Sequence, residues 1–323
     1  MESLTSEQIA HFRDEGYVVV EGLLDPERDL NPVIEEYAGV LDRFAGELFA
    51  AGRIASTYAD LPFSDRLTQI YAESGKVDAQ YFDFSLPQTG VTHETPFWTG
   101  PAVFALLRHP AILDAVESLI GPEIYANPVQ HVRMKPPEQL TPTDPTTGLP
   151  QLGASPWHQD NGVVTEDADD TEIITVWFPL TEATLENGCL AVVPRSAEQG
   201  LLAHCPSGLG LHIPTQLFRA ADAVPLPMRP GSVLLMHRLT PHCSFSNLSD
   251  HVRWSFDLRY NPIGQPTGRA AFPGFIARSR RQPDAELHDA TEWRRLWLEA
   301  RALLAERENP TFNRWHAASP VCA

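Results

Sequence analysis

A histidine and an aspartate separated by one residue, His158 and Asp160, are the first pair in this 323-residue sequence whose types and spacing could do chemistry. Side chains two residues apart on a β-strand point to the same face, so the spacing predicts that the imidazole and the carboxylate project together. Such a pair offers two adjacent ligands to a metal ion. Alone the pattern is weak, because it also occurs on ordinary surface strands.

A third candidate ligand, His242, lies much further along the chain. It follows a predicted turn at Pro230 and Gly231 and an apolar strand at 233–236. Two histidines and one carboxylate on one face of a metal leave coordination positions open, which is typical of non-haem Fe(II) oxygenases. His237 is the competing ligand on this strand, but its spacing to Arg253 fits less well. The remaining loop histidines, at 93, 204 and 212, are expected to be solvated.

A strand predicted at 252–260 alternates sharply between apolar and polar side chains. Val252, Trp254, Phe256, Leu258 and Tyr260 share one face, and Arg253, Ser255, Asp257 and Arg259 share the other. This indicates an open barrel with an apolar exterior covered by helices and a polar interior. A buried Arg253 needs an anion, since removing the partner of a buried charge costs about 3–5 kcal/mol. A dicarboxylate that chelates the metal at one end and pairs with Arg253 at the other meets this need. Two roles stay open for Arg259: it pairs with Asp257, or it holds a substrate anion.

Helices are predicted for most of residues 1–123. Thr5 and Gln8 form a capping box for a helix at 6–14 that stops at Gly16, and a strand at 17–20 follows. A second helix is predicted from Pro32 to about Phe44, and a third begins at Pro110 and ends at Gly121. The aromatic-rich stretch 50–100 gives no clear pattern.

Short β-type runs separated by Pro, Gly and Asn turns begin near residue 124 and predict a sandwich or barrel core over 124–262. The runs are 124–134, 156–164, 172–180, 189–193, 224–228, 232–237 and 252–260. A Pro-, Thr- and Gly-rich loop at 136–155 interrupts them, and its length is typical of a functional or disordered segment. A helix at 284–308 closes the chain, which is predicted to be a single domain over 1–323. Its apolar stripe is expected to dock on the barrel, with a homodimer contact as the alternative.

Composition excludes several classes of protein. The net charge of −18 leaves no basic footprint for nucleic acid, and no apolar run is long enough to span a membrane. No secretory signal is evident, and the four cysteines have no close-pair spacing. We therefore expect a cytoplasmic protein without a disulfide framework. Lysine occurs only at 76 and 135, so arginine is the expected anion ligand.

In order and spacing, these pieces resemble the phytanoyl-CoA dioxygenase family of Fe(II)/2-oxoglutarate oxygenases. The resemblance runs through His11-Phe12, Gly16-Tyr17-Val18-Val19, Lys135-Pro136-Pro137, Trp157-His158-Gln159-Asp160, Trp177, Asn187-Gly188-Cys189-Leu190, His242-Cys243-Ser244, Asn247 and Arg253. It implies a mainly β fold, the double-stranded β-helix or cupin-like jelly roll, with flanking α-helices.

The resemblance also implies roles for individual residues. His158, Asp160 and His242 look like the Fe(II) ligands. Arg253 matches the arginine that pairs with the distal carboxylate of 2-oxoglutarate, and Ser244 is similar to a hydroxyl that assists it. Trp177 matches an aromatic residue of the co-substrate pocket, and His131 falls where the family places another co-substrate contact.

The implied reaction consumes O₂, releases succinate and CO₂, and hydroxylates or otherwise oxidises a small organic substrate. Related halogenases carry Gly or Ala where this chain has Asp160, which favours hydroxylation.

Some features depart from the family pattern. Pro194-Arg195-Ser196-Ala197 stands where the family usually has Pro-Gly-Ser-His, and the upstream basic co-substrate contact of some members has no evident match. Nothing in the sequence predicts a binding site for a CoA pyrophosphate.

Two other classes of function stay open. A cupin-like isomerase or hydrolase could use zinc at the same ligands but would leave Arg253 without a role. A non-catalytic jelly-roll binding protein would not need the metal ligands.

Overall fold

The computed structural model describes residues 3–208, 210–307 and 312–322. The α-helices are α1 (Ser6–Glu15), α2 (Asn31–Ala50), α3 (Phe63–Ser74), α4 (Ala79–Phe82), α5 (Pro101–Leu107), α6 (Pro110–Ile120) and α7 (Ala290–Ala305). The strands are β1 (Tyr17–Val20), β2 (Glu123–Lys135), β3 (Ser155–His158), β4 (Ile174–Pro179), β5 (Leu190–Val192), β6 (Cys205–Ser207), β7 (Gly210–His212), β8 (Val224–Leu226), β9 (Val233–His237), β10 (His242–Ser244), β11 (Arg253–Pro262) and β12 (Phe275–Ser279).

Two antiparallel sheets form the barrel. The six-stranded sheet has the order β1-β9-β4-β11-β2-β12, and the four-stranded sheet has the order β3-β10-β5-β8. Neighbours in the sheets are mostly distant in sequence, as in a jelly roll, where successive strands cross between sheets. The fold is the predicted mainly β double-stranded β-helix, with helices packed on the larger sheet.

The alternation of β11 separates two environments, as the sequence predicts. Trp254, Phe256, Leu258 and Tyr260 are buried in one apolar cluster with residues of the helices. The Tyr37 ring of α2 packs edge-on against Trp254 at 5.4 Å. On the other face, Arg253 and Asp257 line a cavity inside the barrel. One strand therefore carries both the hydrophobic attachment of the helices and the polar interior.

The predicted start and end of α1 are confirmed, and the end leads to the barrel interior. Thr5 and Gln8 make both hydrogen bonds of the capping box. Gly16 ends the helix with φ 84°, and a Cβ there would lie 2.5 Å from Thr240 Oγ1. Thr240 Oγ1 donates a hydrogen bond to Gly16 O at 2.7 Å. This turn requires glycine because of both its conformation and its close approach to Thr240.

Several predicted boundaries are wrong. The strand expected at 156–164 ends at His158, and a 3₁₀ turn, Asp160–Val163, replaces its second half. The second helix runs on to Ala50, past its last buried residue, Ala45. Helix α3 lies in the unassigned stretch 50–100. The closing helix begins at Ala290, and position 308 lies outside the described residues.

The apolar stripe of α7 packs on its own chain. Trp293 and Trp297 are fully buried, and Trp293 lies 5.5 Å from the ring of Phe104 in α5. Leu303 is the exposed member of the stripe. A homodimer contact at α7 stays a prediction.

A disulfide joins Cys205 of β6 to Cys322, so the expectation that the cysteines form no such link is wrong. The two residues are 117 positions apart, and no local spacing signals the pairing. They meet because the C-terminal segment returns to the barrel, where the ring of Trp315 stacks on His204 at 5.3 Å. Cys189 and Cys243 are buried free thiols.

The turn that departs from the family pattern keeps a left-handed residue without glycine. Arg195 has φ 58°, a conformation that costs a non-glycine residue about 1–2 kcal/mol. Its guanidinium binds Glu15 at the end of α1, which offsets part of this cost.

No helix within the described ranges combines the length and apolar character needed to cross a bilayer.

Candidate metal centre

Strand pairing brings the three predicted ligands together. His158, the last residue of β3, lies directly opposite His242, the first residue of β10. Their ring centroids are 4.2 Å apart. Asp160 follows at the start of the 3₁₀ turn, and its Oδ1 lies 4.0 Å from His242 Nε2. One ligand atom from each residue lies within 4.8 Å of the others, a separation that suits a shared ion.

Hydrogen bonds to backbone carbonyls orient both histidines. His158 Nδ1 lies 2.8 Å from Pro156 O, and His242 Nδ1 lies 3.0 Å from Thr240 O. Each Nδ1 therefore carries its proton, and each Nε2 is left to bind a metal. Burial and the neighbouring His242 lower the pKa of His158 to about 3, so this ring is in the neutral, ligating form at neutral pH.

A buried arginine and a threonine hold the third ligand. Arg259 Nε donates to Asp160 Oδ1 at 3.1 Å, and Arg259 Nη2 donates to the same oxygen. Thr175 Oγ1 donates to Oδ2. Burial by itself would raise the pKa of Asp160, but Arg259 and the two imidazoles outweigh it and hold that pKa well below its usual range. Each carboxylate oxygen has two acceptor sites. Arg259 occupies both sites of Oδ1 and Thr175 occupies one site of Oδ2, so one site on Oδ2 remains for a metal.

Arg259 settles the choice left open by the sequence. Besides Asp160, it binds Asp257 Oδ2 at 3.2 Å and Val129 O at 2.7 Å. It therefore pairs with carboxylates of its own chain, and Asp160 is its main partner.

The residue between the two ligands faces away, as the strand spacing predicts. Gln159 Nε2 donates to Gly200 O and Leu239 O, and its backbone N–H donates to His204 Nε2 at 2.9 Å. The expectation of a solvated His204 is wrong, because its side chain is 1% exposed. A Cβ at position 162 would lie 2.1 Å from the His204 ring, so this close packing requires Gly162.

Three of the predicted co-substrate residues join the ligands at one cavity of about 200 Å³. Arg253, Ser244 and Trp177 line it together with His158 and His242. The Arg253 guanidinium lies 5.8 Å from the centroid of the Trp177 ring. Arg253 is 2% exposed, and its Nε has no hydrogen-bond partner among the described residues. A buried guanidinium in this state has capacity for an anion.

His131 is held at a different point of the barrel. Its Nδ1 lies 2.7 Å from Asp83 Oδ2, and burial, opposed by Asp83, lowers its pKa. On β2 it lies opposite Asp257, a cavity-lining residue.

Lys135 is a site residue that sequence reasoning missed. It lies opposite Arg253 in the β2–β11 register, and its Nζ donates to Ser244 Oγ at 2.8 Å and to Phe245 O at 2.6 Å. Burial and the adjacent Arg253 lower its pKa to about 6. A basic residue at the end of β2 therefore contacts the cavity-lining Ser244, whereas the family contact upstream of the strands stays unmatched. The signal in the sequence was that one of only two lysines directly follows the predicted strand at 124–134.

A larger chamber of about 510 Å³ adjoins this cavity. The two share Arg133, Ser155, Pro156 and Arg253. The end of the 136–155 loop forms one wall of the chamber, and Gln151 ties the loop to the helical part by accepting a hydrogen bond from Val77 N at 2.8 Å. This loop has an ordered path past the site.

Comparison with known proteins gives consistent matches. The family model described as Phytanoyl-CoA dioxygenase (PhyH) matches residues 12–255. A phytanoyl-CoA dioxygenase of Arabidopsis thaliana is 26% identical over 271 residues, covering 79% of this chain and 88% of the relative. A phytanoyl-CoA dioxygenase domain-containing protein 1 of Danio rerio is 25% identical, covering 78% of this chain and 88% of the relative. The solved structure of the apo form of the non-heme monooxygenase ThoJ superposes with a TM-score of 0.55 at 20% identity, over 92% of this chain and 96% of that one. This structural likeness supports the jelly-roll fold.

Proposed function

The chain belongs to the phytanoyl-CoA dioxygenase family of Fe(II)/2-oxoglutarate oxygenases, and we propose that it hydroxylates a small organic substrate. In the balanced reaction, 2-oxoglutarate, O₂ and a substrate C–H bond give succinate, CO₂ and a C–OH group. Iron and 2-oxoglutarate supply the oxidising power when bound. The chain's own residues would bind and orient the metal and the co-substrate, and would exclude water from the site.

One observation carries this proposal: His158, His242 and the buried Arg253 line one cavity, and Asp160 offers a ligand atom within 4.8 Å of those of the two histidines. Two imidazoles and one carboxylate form the facial donor set that suits non-haem Fe(II). The unpartnered Nε of Arg253 supplies the second requirement, a site for the far end of a dicarboxylate. A zinc isomerase or hydrolase would leave this buried charge without a partner.

We assign the co-substrate's distal carboxylate to Arg253, Lys135 and Ser244. Ser244 Oγ already accepts from Lys135 Nζ and from Ser155 N at 3.1 Å, so its own proton is directed elsewhere. A carboxylate there would accept a hydrogen bond from the Ser244 hydroxyl and charge-assisted hydrogen bonds from Arg253 and Lys135. The Trp177 ring, under the Arg253 guanidinium, forms a side of the same pocket.

Two further assignments are part of the proposal. Asp160 occupies the position that iron halogenases leave without a carboxylate, which supports hydroxylation. A contact between His131 and the co-substrate stays a prediction, for which Nε2 is available because Asp83 engages Nδ1.

Anaerobic addition of Fe(II) and 2-oxoglutarate tests the proposal. We expect a weak visible charge-transfer band from chelation, and succinate release on admission of O₂. Arg253→Ala should weaken 2-oxoglutarate binding, whereas Arg219→Ala, a change in an exposed arginine paired with Asp222, should bind it like the wild type. Metal binding with neither the 2-oxoglutarate-dependent band nor succinate release would reject the oxygenase in favour of another metal-dependent reaction.

A further inference from the structure

Arg133 lies where the two cavities meet and has no counter-charge. It lines both the 200 Å³ cavity beside the metal ligands and the 510 Å³ chamber. Its side chain is exposed, and no carboxylate of the described residues lies within ion-pair distance of it. Arg133 is therefore one of four residues that line both cavities.

Strand register places Arg133 in a cluster of like charges. It lies opposite Ser255 on β11, two pairs along from the Lys135–Arg253 pair. Residues 133 and 135 share a face of β2, as 253 and 255 share a face of β11. The positive charge of Arg133 contributes to lowering the pKa of both Lys135 and Arg253. Three basic side chains, Arg133, Lys135 and Arg253, therefore line one polar space.

The nearby carboxylates contact other groups. Arg259 binds both Asp160 and Asp257, although Asp257 Oδ1 is buried without a hydrogen-bond partner among the described residues. Asp144, on the chamber wall, accepts hydrogen bonds from Thr146 N and Thr147 N of its own turn at 2.8 and 2.9 Å. The distal carboxylate of 2-oxoglutarate, as proposed above, lies against Arg253 and Lys135. None of these three aspartates is within ion-pair distance of Arg133, so its guanidinium keeps its hydrogen-bonding capacity for another anion.

We propose that the organic substrate carries an oxyanion, a carboxylate or a phosphonate, which Arg133 binds at this junction. The planar guanidinium fork suits two parallel hydrogen bonds to such a group. The rest of the substrate lies between Arg133 and the metal ligands or in the chamber, where Val77, Leu149 and Leu152 provide apolar surface. The inference names the substrate class of the proposed hydroxylase and rests on that function for the reaction, although not for the binding.

Thermal shift with matched ligand pairs tests the binding. The protein is loaded anaerobically with Ni(II) and 2-oxoglutarate, so that the ligands and the Arg253 pocket are filled. Arylalkyl and alkyl carboxylates of roughly four to ten carbons, a size that such cavities bury, are compared with their primary amides, and phosphonates form a second arm. We expect at least one acid to raise Tm more than its amide does. The arm with the larger shift identifies the oxyanion.

Substitutions at the junction assign the preference to Arg133. Arg133→Gln should reduce the acid-over-amide affinity ratio by about fivefold or more. Arg133→Glu should reverse the preference towards the primary amine of the same carbon skeleton. Arg219→Gln, away from both cavities, should keep the wild-type ratio.

Three results would overturn the inference: no acid stabilises the wild type more than its amide does, Arg133→Gln keeps the wild-type ratio, or Arg133→Gln weakens 2-oxoglutarate binding as strongly as Arg253→Ala. The last would place Arg133 in the co-substrate pocket. Failure of the proposed function has a different signature, the absence of 2-oxoglutarate-dependent succinate release in the wild type. Repeating the acid and amide comparison on metal-free protein then decides the anion site separately.

Discussion

Arg259 directs two donors, Nε and Nη2, at a single oxygen of Asp160 inside the barrel. With Thr175 on the other oxygen, this fixes the plane of the carboxylate before any metal binds. Arg259 belongs to β11, which also carries Arg253 six residues earlier. One strand therefore positions a metal ligand at one point and the arginine proposed to bind the co-substrate at another, so that its backbone sets the distance between the two.

Loss of any proposed ligand should abolish the metal centre. We expect His158→Ala, Asp160→Ala and His242→Ala each to lose Fe(II) binding and the charge-transfer band, because each change removes one of three protein ligands and Asp160→Ala also leaves the buried Arg259 without its main partner. Anaerobic metal titration followed by visible absorption measures both. Full turnover by Asp160→Ala would refute the ligand assignment.

Removing the guanidinium that holds Asp160 should weaken the metal site without removing a ligand. For Arg259→Gln we expect about 10–100-fold lower metal affinity, the usual effect of losing a group that orients a ligand. Stability should also fall by about 3–5 kcal/mol, because Asp160 is left as a buried unpaired charge. Titration with Ni(II) and urea unfolding measure the two effects.

Arg280→Gln is the matched control for this change, since Arg280 forms an exposed ion pair with Glu117. It should change neither the metal affinity nor the free energy of unfolding by more than about 1 kcal/mol, the usual contribution of a surface ion pair. Wild-type metal affinity in Arg259→Gln would show that Thr175 and the backbone suffice to orient Asp160.

The affinity for 2-oxoglutarate should fall as pH rises above about 6. Burial and Arg253 lower the pKa of Lys135 to about 6, so this amine is mostly neutral at neutral pH before the co-substrate binds. A carboxylate beside it favours the charged form and raises that pKa. Binding therefore takes up a proton, and it weakens as protons become scarce. Anaerobic calorimetry in buffers of different ionisation enthalpy measures the uptake.

Lys135→Met preserves the length and packing of this side chain without its charge. We expect weaker binding and a pH dependence flattened above about pH 6, because the variant lacks the amine whose pKa lies near that value. An unaltered pH profile in the variant would assign the proton to another group.

The disulfide should be detectable chemically and should stabilise the fold. Denatured protein without reductant should show two reactive thiols, from Cys189 and Cys243, and four after reduction. Reduction should lower stability by about 4 kcal/mol, as expected for a closed loop of this size. The Cys205→Ser variant should show no loss on reduction, and four thiols without reductant in the wild type would contradict the pairing.

Local signals and short-range spacing predicted the features that depend on them. The capping box at Thr5 and the alternation of β11 are confirmed because each follows from side chains a few residues apart. His158 and His242 meet although 84 positions separate them in the sequence, and family resemblance rather than spacing predicted that meeting. Arg195 shows the opposite case: its left-handed conformation is imposed by the surrounding turn against its own preference.

Features that depend on tertiary contacts could not be read from the sequence. The Cys205–Cys322 bond needs the return of the C-terminal segment, and the burial of His204 needs the same segment and Gly162. The Arg259–Asp160 pair joins β11 to a turn 99 positions earlier, so the sequence offered only the nearer Asp257. Lys135 becomes a site residue through its register with Arg253, which periodicity alone does not specify.

The two-sided character of β11 has a consequence for how this protein can change. Substitutions at the even positions from 254 to 260 should mainly reduce folding. Those at positions 253, 255 and 257 should mainly reduce turnover, and those at 259, which holds Asp160, should reduce both. A saturation library scored separately for abundance and for succinate output should thus show sensitivity that alternates from residue to residue between 253 and 258. Variation towards new substrates is then least constrained off this strand, on the chamber wall and its loop.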